Sequence, residues 1–225
     1  MHDVILNEKV LAKNIAFAEN NKDQLKERGI FTINLISSPG SGKTSIVEKT
    51  VEGLQDQMKI AVIEGDIQAD LDLQRLMKFN IPLRQINTGR SCHLDAHMVQ
   101  HTLPWLFEQG DIDFLIIENV GNMVCPAEYD LGEDMKVALM SVTEGDDKPL
   151  KYPSMFHSSQ YLLINKTDLL GYTDFNMEKA KANALKINPH LNIIETSCTS
   201  GAGIDAWLDA MRNEKNGKKS RALCV

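Results

Sequence analysis

The sequence predicts an α/β fold in three layers, a mostly parallel sheet with helices on both faces. Three observations carry this reading. Seven short apolar runs alternate with stretches of helical spacing, as in chains that wind strand and helix in turn. One junction, SSPGSGKT at 37–44, has the small residues and the lysine of a strand turning into a helix around an anion. The chain has 225 residues, enough to bury one large core.

Taken in order, residues 4–28 read as an amphipathic helix. Its apolar members are Ile5, Val10, Leu11, Ile15, Phe17, Ala18 and Leu25, and Gly29 stops it. Strand runs follow at 31–36, 59–63, 83–87, 113–117, 137–142, 160–164 and 192–195. Helical patterns occupy 43–57, 68–79, 94–108, 175–187 and 203–213. The longest irregular stretch, EGDDKPLKYPSMF at 144–156, reads as a functional loop. The basic run at 212–221 reads as a solvated tail.

A net charge of −7 argues against broad binding to nucleic acid or anionic membranes. No apolar run approaches the ~20 residues that span a bilayer. The first twenty residues carry charges throughout and lack a signal-peptide apolar block. The four cysteines (92, 125, 198 and 224) do not have the spacing of a secreted disulfide scaffold. Reduced thiols and a cytoplasmic location are expected. Cys198 reads as a packing residue, and Cys224 does not fit a prenylation box.

In the 37–44 junction, Gly42, Lys43 and Thr44 match the end of the pattern G-x-x-x-x-G-K-[ST], while Ser37 stands where a glycine is usual. Gly40 and Gly42 let successive backbone N–H groups face a phosphate, with Ser41 and Ser45 beside them. Lys43 would reach the β- and γ-phosphates, and the Thr44 hydroxyl would bind Mg²⁺. This makes the sheet a three-layer P-loop NTPase fold. Glu118 ends the strand LIIE and Gly121 follows. A carboxylate there can hold Mg²⁺, and the Gly121 N–H can contact the γ-phosphate. Asp66 follows the second strand and could approach Mg²⁺ or the attacking water. Asp70 and Asp72 compete for that role, and each acid has the alternative of capping a helix.

The run NKTD supplies Asn165, Lys166 and Asp168 after a buried strand. Guanine offers two adjacent donors that one carboxylate, Asp168, can accept. Adenine presents a lone pair instead, so the nucleotide is expected to be GTP. Asn165 would tie this loop to the phosphate loop, and the Lys166 stem would lie over the purine. TSCTSGAGID at 196–205 would close the base pocket.

Three of the six histidines fall in CHLDAHMVQH, beside Cys92, and Cys125 lies seven residues after Glu118. Thiolate and imidazole ligands suit Zn²⁺ and accept Ni²⁺. Cys92, His93 and Cys125 are the candidate ligands. His97 is a possible fourth, since it would share a helix face with His93, and His101 is placed behind it. Cys125 follows the segment that would sense the γ-phosphate, so nucleotide state and metal affinity are expected to be linked.

Through SSPGSGKT, VIEGD, TGRSCHLDAH, LIIENVGNMVCP, SVTEGDDKPLKYP and NKTD, the chain resembles the HypB family of nickel-insertion GTPases. These are SIMIBI-class P-loop proteins of nickel–iron hydrogenase maturation, and the resemblance runs from about residue 30 to 210. It implies GTP hydrolysis to GDP and phosphate, and a homodimer favoured by GTP. It also implies nickel or zinc on Cys92, His93 and Cys125, the companion nickel protein HypA, and the hydrogenase large-subunit precursor as target. The urease-type accessory GTPases are a second possible kinship. The domains expected are an N-terminal helix (1–29) packed on the G domain, the G domain with its metal site (30–214), and a basic tail (215–225). Two departures stand out. Residues 1–30 hold only His2 and no cysteine, so no N-terminal nickel store is expected. Ser38 replaces the lysine that some relatives use across a dimer, leaving Lys148 or Lys151 to supply one. A nucleotide-dependent enzyme with a structural zinc, and a metal buffer with a vestigial nucleotide site, are the competing functions.

Overall fold

Every residue of the first strand, β1 (Phe31–Ser37), is buried, because β1 lies mid-sheet and is covered on both faces. The computed structural model describes residues 2–66, 71–89 and 91–222, with side chains described for 11–66, 73–89 and 91–218. The other strands are β2 (Ile60–Asp66), β3 (Leu83–Asn87), β4 (Phe114–Glu118), β5 (Met135–Ser141), β6 (Tyr161–Asn165) and β7 (Asn192–Glu195). Their order is β3-β2-β4-β1-β5-β6-β7, and every pairing is parallel. The edge strands β3 and β7 are the half-exposed ones, as unpaired edges usually are. The chain winds outward both ways from β1, so the loop after β1 lies where parallel sheets open a ligand crevice.

The helices are α1 (His2–Glu27), α2 (Lys43–Leu54), α3 (Leu71–Leu76, continued by a 3₁₀ turn), α4 (Ala96–Glu108), α5 (Cys125–Glu128), α6 (Lys148–Lys151), α7 (Pro153–Ser158), α8 (Met177–Ile187) and α9 (Ile204–Ala222). One face of the sheet buries Ile33, Leu35, Val62 and Ile116 against Val47 and Val51 of α2 and Trp207 and Met211 of α9. The Trp207 indole N–H donates to Thr50 Oγ1 at 2.8 Å, so the largest buried side chain keeps its one polar group paired. The opposite face carries two cores. Met140 and Ile164 meet α7 and α8, whereas Ile63 and Ile117 meet Leu25 of α1 and Leu103 of α4. The result is the expected three layers.

Three local expectations need correction. The basic tail expected over 215–225 is helical as far as residue 222. Lys215 is buried and pairs with Asp113, and Lys218 donates to Asp134 Oδ2 and to the Ile30 carbonyl, each at 2.6 Å. Asp113 and Asp134 also accept from backbone N–H groups at the sheet's amino edge (Lys59 and Thr32), so the lysines complete capped strand starts. The loop at 144–156 folds into α6 and α7. In α1 the described buried residues are Asn14, Ala18, Asn21 and Leu25, while Ile15 is 54% exposed. The helix is held partly by amides. Asn14 accepts from Ala96 N–H and donates to the Asp130 carbonyl, both at 2.8 Å, and Asn21 donates to the Ala96 and Leu131 carbonyls. Among the described residues no helix is long and apolar enough to cross a membrane.

Candidate nucleotide and metal site

Ser37 ends β1 without a positive φ, so the position that usually carries glycine needs none here. Gly42 does need its freedom. It caps α2 at φ 101°, and a Cβ there would lie 2.5 Å from Asn165 Nδ2. Lys43 Nζ reaches back to Ser37 Oγ at 3.1 Å. Thr44 Oγ1 donates to Glu118 Oε1 at 2.8 Å. A hydroxyl in the first turn of α2 and a carboxylate at the end of β4 are the hard oxygen donors that Mg²⁺ takes, so the residues fit that ion. The Ser45 hydroxyl accepts from Arg75 instead, outside that pair.

Strand alternation explains why the acids gather. Ile60 and Val62 of β2 and Phe114 and Ile116 of β4 face α2. Further along, the same face presents Glu64 and then Asp66 on β2 and Glu118 on β4. Glu64 and Glu118 are register partners and both buried. Asp66 ends β2 half-buried, Asp70 lies outside the described residues, and so does the side chain of Asp72. Gly121 abuts the phosphate loop, for a Cβ there would meet Pro39 at 3.1 Å.

The second loop closes on the first. Asn165 Nδ2 donates to the Ser41 carbonyl (3.0 Å) and its Oδ1 accepts from Thr196 Oγ1 (3.2 Å). Lys166 adopts φ 61° and stretches its ammonium to the Gly40 carbonyl at 2.7 Å. Asp168 is exposed, with Oδ1 accepting from Ser197 Oγ at 2.5 Å, which orients the carboxylate. The 196–205 segment thus supplies three side-chain bonds to this loop, the third from Cys198 Sγ to Asn165 Oδ1 at 3.8 Å.

Glu144 escaped the sequence reading. Its carboxylate accepts from Ser38 Oγ (2.5 Å), Ser41 Oγ (2.7 Å) and Ser141 N–H (3.1 Å), bracing the phosphate loop. The signal was its place three residues after β5, at the same sheet edge as the phosphate loop. Lys148 is drawn to Glu144 at 3.4 Å and Lys151 to Asp147 at 2.6 Å, so both lysines proposed to act across a dimer have partners within the chain.

Cys92, His93 and Cys125 converge, with one donor atom of each within 4.8 Å of the others. The sulfurs are 3.3 Å apart, and Cys92 Sγ is 3.8 Å from His93 Nδ1. Burial lowers the His93 pKa and so favours the neutral, ligating imidazole. Burial, followed by the hydrogen bond with Cys92, raises that of Cys125 and so favours its thiol over the thiolate. Two asparagines that the sequence reading missed hold the group together. Asn119 Oδ1 accepts from Leu94 N–H at 3.1 Å, and Asn122 Nδ2 donates to the Cys92 carbonyl at 3.3 Å.

His97 does not join the group. The expectation that it shares a helix face with His93 fails because α4 starts only at Ala96, capped by Asp95 Oδ1 accepting from Met98 N–H. His93 precedes that cap and packs against Tyr129, with ring centroids 4.0 Å apart and planes tilted by 38°.

Residues 31–195 match the family model described as "CobW/HypB/UreG, nucleotide-binding domain". The chain is 49% identical over 218 residues to the hydrogenase maturation factor HypB of Azotobacter vinelandii, covering 96% of this chain and 71% of that protein. It is 38% identical to the hydrogenase/urease maturation factor HypB of Helicobacter pylori, covering 95% and 88% respectively. The crystal structure of Helicobacter pylori HypB in complex with nickel superposes with a TM-score of 0.87 at 38% identity, covering 91% of this chain and 96% of that one. With its all-parallel sheet, phosphate loop and Cys92–His93–Cys125 group, this chain belongs to the HypB family of hydrogenase maturation factors.

Proposed function

We propose that this protein is a cytoplasmic GTPase that binds nickel or zinc and ties metal release to GTP hydrolysis. One observation supports this above others. The segment 118–125 begins on Glu118, which holds Thr44, passes Pro39 at Gly121, tethers Cys92 through Asn122, and ends on Cys125. A shift of that segment on loss of the γ-phosphate would change the distance between the two sulfurs, and by linkage metal would alter nucleotide affinity.

In this reading Gly40, Ser41, Gly42 and Gly121 offer backbone N–H groups to the phosphates, and Lys43 neutralises them. Thr44, Glu118 and Asp66 hold Mg²⁺, which offsets charge on the phosphates when bound. Asp168 accepts both guanine donors while Asn165 and Lys166 lock the base loop to the phosphate loop. Two thiolates and one imidazole leave an open coordination position, which suits an ion in transit better than a closed structural zinc. The cargo passes from this site, with HypA as companion and a GTP-favoured homodimer as the working form, to the hydrogenase large-subunit precursor. The Helicobacter pylori relative is named for urease as well, so urease is the second possible destination.

The test is Ni²⁺ and Zn²⁺ affinity measured with GDP and with a non-hydrolysable GTP analogue, in the wild type and in Cys92→Ala and Cys125→Ala. Different affinities in the two nucleotide states of the wild type are expected, with both variants losing the ion. Equal affinities would sink the coupling, and transfer of γ-phosphate to an acceptor other than water would favour a kinase.

A further inference from the structure

Ile33 and Leu35 of β1, like Met135 and Val137 of β5, belong to the core under α2 and α9. Strand alternation therefore turns Asn34 and Lys136, which are register partners, to the opposite face. Glu133 is buried there with them. Its Oε1 accepts from Asn34 Nδ2 at 3.2 Å and lies 3.8 Å from Lys136 Nζ, while Oε2 accepts from Leu131 N–H at 2.6 Å. The bonds run on in one sense. Asn34 Oδ1 accepts from Asn119 Nδ2 at 3.1 Å, and Asn119 Oδ1 accepts from Leu94 N–H at 3.1 Å, one residue past His93. On the other side Lys136 Nζ donates to the Ala127 carbonyl at 3.0 Å, two residues past Cys125. Two buried arms from one carboxylate thus end on the backbone beside two of the candidate metal ligands.

An amide can face either way, so the ends of the first arm decide its sense. The Leu94 N–H can only donate and the Glu133 carboxylate accepts, which fixes both asparagines between them. Bonds that all point one way polarise one another, and in a buried layer a reversed amide would set two donors or two acceptors face to face. We propose that Glu133 is a positioning residue for the metal site, acting through Asn34 and Asn119 on the backbone after His93 and through Lys136 on the helix that carries Cys125. It touches no ligand atom. It fixes where the ligand backbones stand before an ion arrives, so less ordering is left to the binding step. The inference rests on the reading of Cys92, His93 and Cys125 as ligands and is independent of the nucleotide.

The experiment compares the full chain with Glu133→Gln, Asn34→Leu and the double variant. A glutamine offers one oxygen to the two N–H donors of Asn34 and Leu131, so one of them loses its acceptor. Three readings are taken: Ni²⁺ affinity against a competing chelator, the thiolate-to-nickel charge-transfer absorption, and hydrogen exchange of the Leu94 amide in metal-free protein. Each single variant is expected to bind Ni²⁺ about tenfold more weakly, the low end for residues that orient a ligand from outside its shell, with shifted absorption and faster exchange at Leu94. With Asn34→Leu already present, Glu133→Gln should cost less affinity than it does in the wild type, since one arm is already cut. Thr50→Val, which removes the partner of the Trp207 indole on the other face, should lower stability and leave all three readings alone. Wild-type readings in Glu133→Gln, or an equal loss from Glu133→Gln with and without Asn34, overturn the proposal. Should Asn34→Leu fail to fold, Asn119→Ala takes its place in the same comparison. A wild type whose Ni²⁺ binding survives Cys125→Ala would overturn the ligand reading, and this proposal with it.

Discussion

The sulfurs of Cys92 and Cys125 lie 3.3 Å apart although 33 residues separate them in the chain. A disulfide needs ~2.05 Å, so a small movement would join them. Metal-free protein treated with diamide, which takes up the two electrons and two protons, should form the Cys92–Cys125 bridge. Bound Ni²⁺ or Zn²⁺ should suppress it. Cys198 should stay unreacted, because burial pushes its thiol up to about 11. Peptide mass mapping without reductant reads the outcome. A bridge that forms equally fast with metal present would contradict the placement of both sulfurs on one ion.

Asn14 links the start of α4 to the chain after α5, and so spans the two segments that carry the candidate metal ligands. Asn14→Ala leaves a buried N–H and a carbonyl without their partner, which costs about 1–3 kcal/mol. A lower urea midpoint is expected, together with faster loss of metal to a chelator and unchanged nucleotide affinity. Ile15→Ala, one residue on and exposed, should move the midpoint little. Equal effects of the two substitutions would remove the positioning role of Asn14.

Base selection should rest on Asp168. Asp168→Asn replaces an acceptor of two donors by a mixed group. A drop in the preference for GTP over ATP of roughly 10- to 100-fold follows, from charged hydrogen bonds of ~1.5–3 kcal/mol each. Ser197→Ala removes the bond that orients the carboxylate and the one its hydroxyl accepts from the Ser200 N–H but leaves the Asp168 charge in place, so its effect should be smaller. Competition between labelled GTP and ATP measures both, and an unchanged preference in Asp168→Asn would remove the base assignment.

Glu133 gives a stability signal with a defined sign. It is buried beside β1, accepting from Asn34 Nδ2 and Leu131 N–H, with Lys136 at 3.8 Å. Burial, reinforced by Asp130, pushes its carboxyl from 4.5 up to about 7. Between these two pH values the native chain holds a proton that the unfolded chain has released, so this group's contribution falls as pH rises. Above pH 7 the loss levels off at roughly 3 kcal/mol. Glu133→Gln does not ionise and should gain stability relative to the wild type between pH 5 and pH 8. Urea midpoints at the two pH values test this, and parallel profiles would refute it.

Much of the fold was readable because its determinants are local. The apolar runs at 31–36 and 83–87 and the turn at 37–44 each lie in a window of a few residues, where period and residue type are enough. Cys92, His93 and Cys125 stood out because thiols and imidazoles are few. What the sequence reading missed were partners distant in the chain. Glu144 meets Ser38 and Ser41, Lys215 meets Asp113, and Asn14 meets Ala96 and Asp130, each across about 80 residues or more. A polar residue's role depends on its partner, and composition alone reads such residues as solvated, as it did for the tail. His97 was misplaced for a local reason, since the Asp95 cap delays α4 past His93.

The sequence by itself determined the alternation of strand and helix, the phosphate loop, the NKTD run and the identity of the sulfur and imidazole donors. These follow from backbone periodicity and side-chain chemistry, which neighbours in the chain already specify. Only the tertiary structure decided which donors share a site, because the order β3-β2-β4-β1 brings the loops after β3 and β4 to the same edge as the phosphate loop. Sheet order is set by burial summed over the whole chain, and no short window contains it.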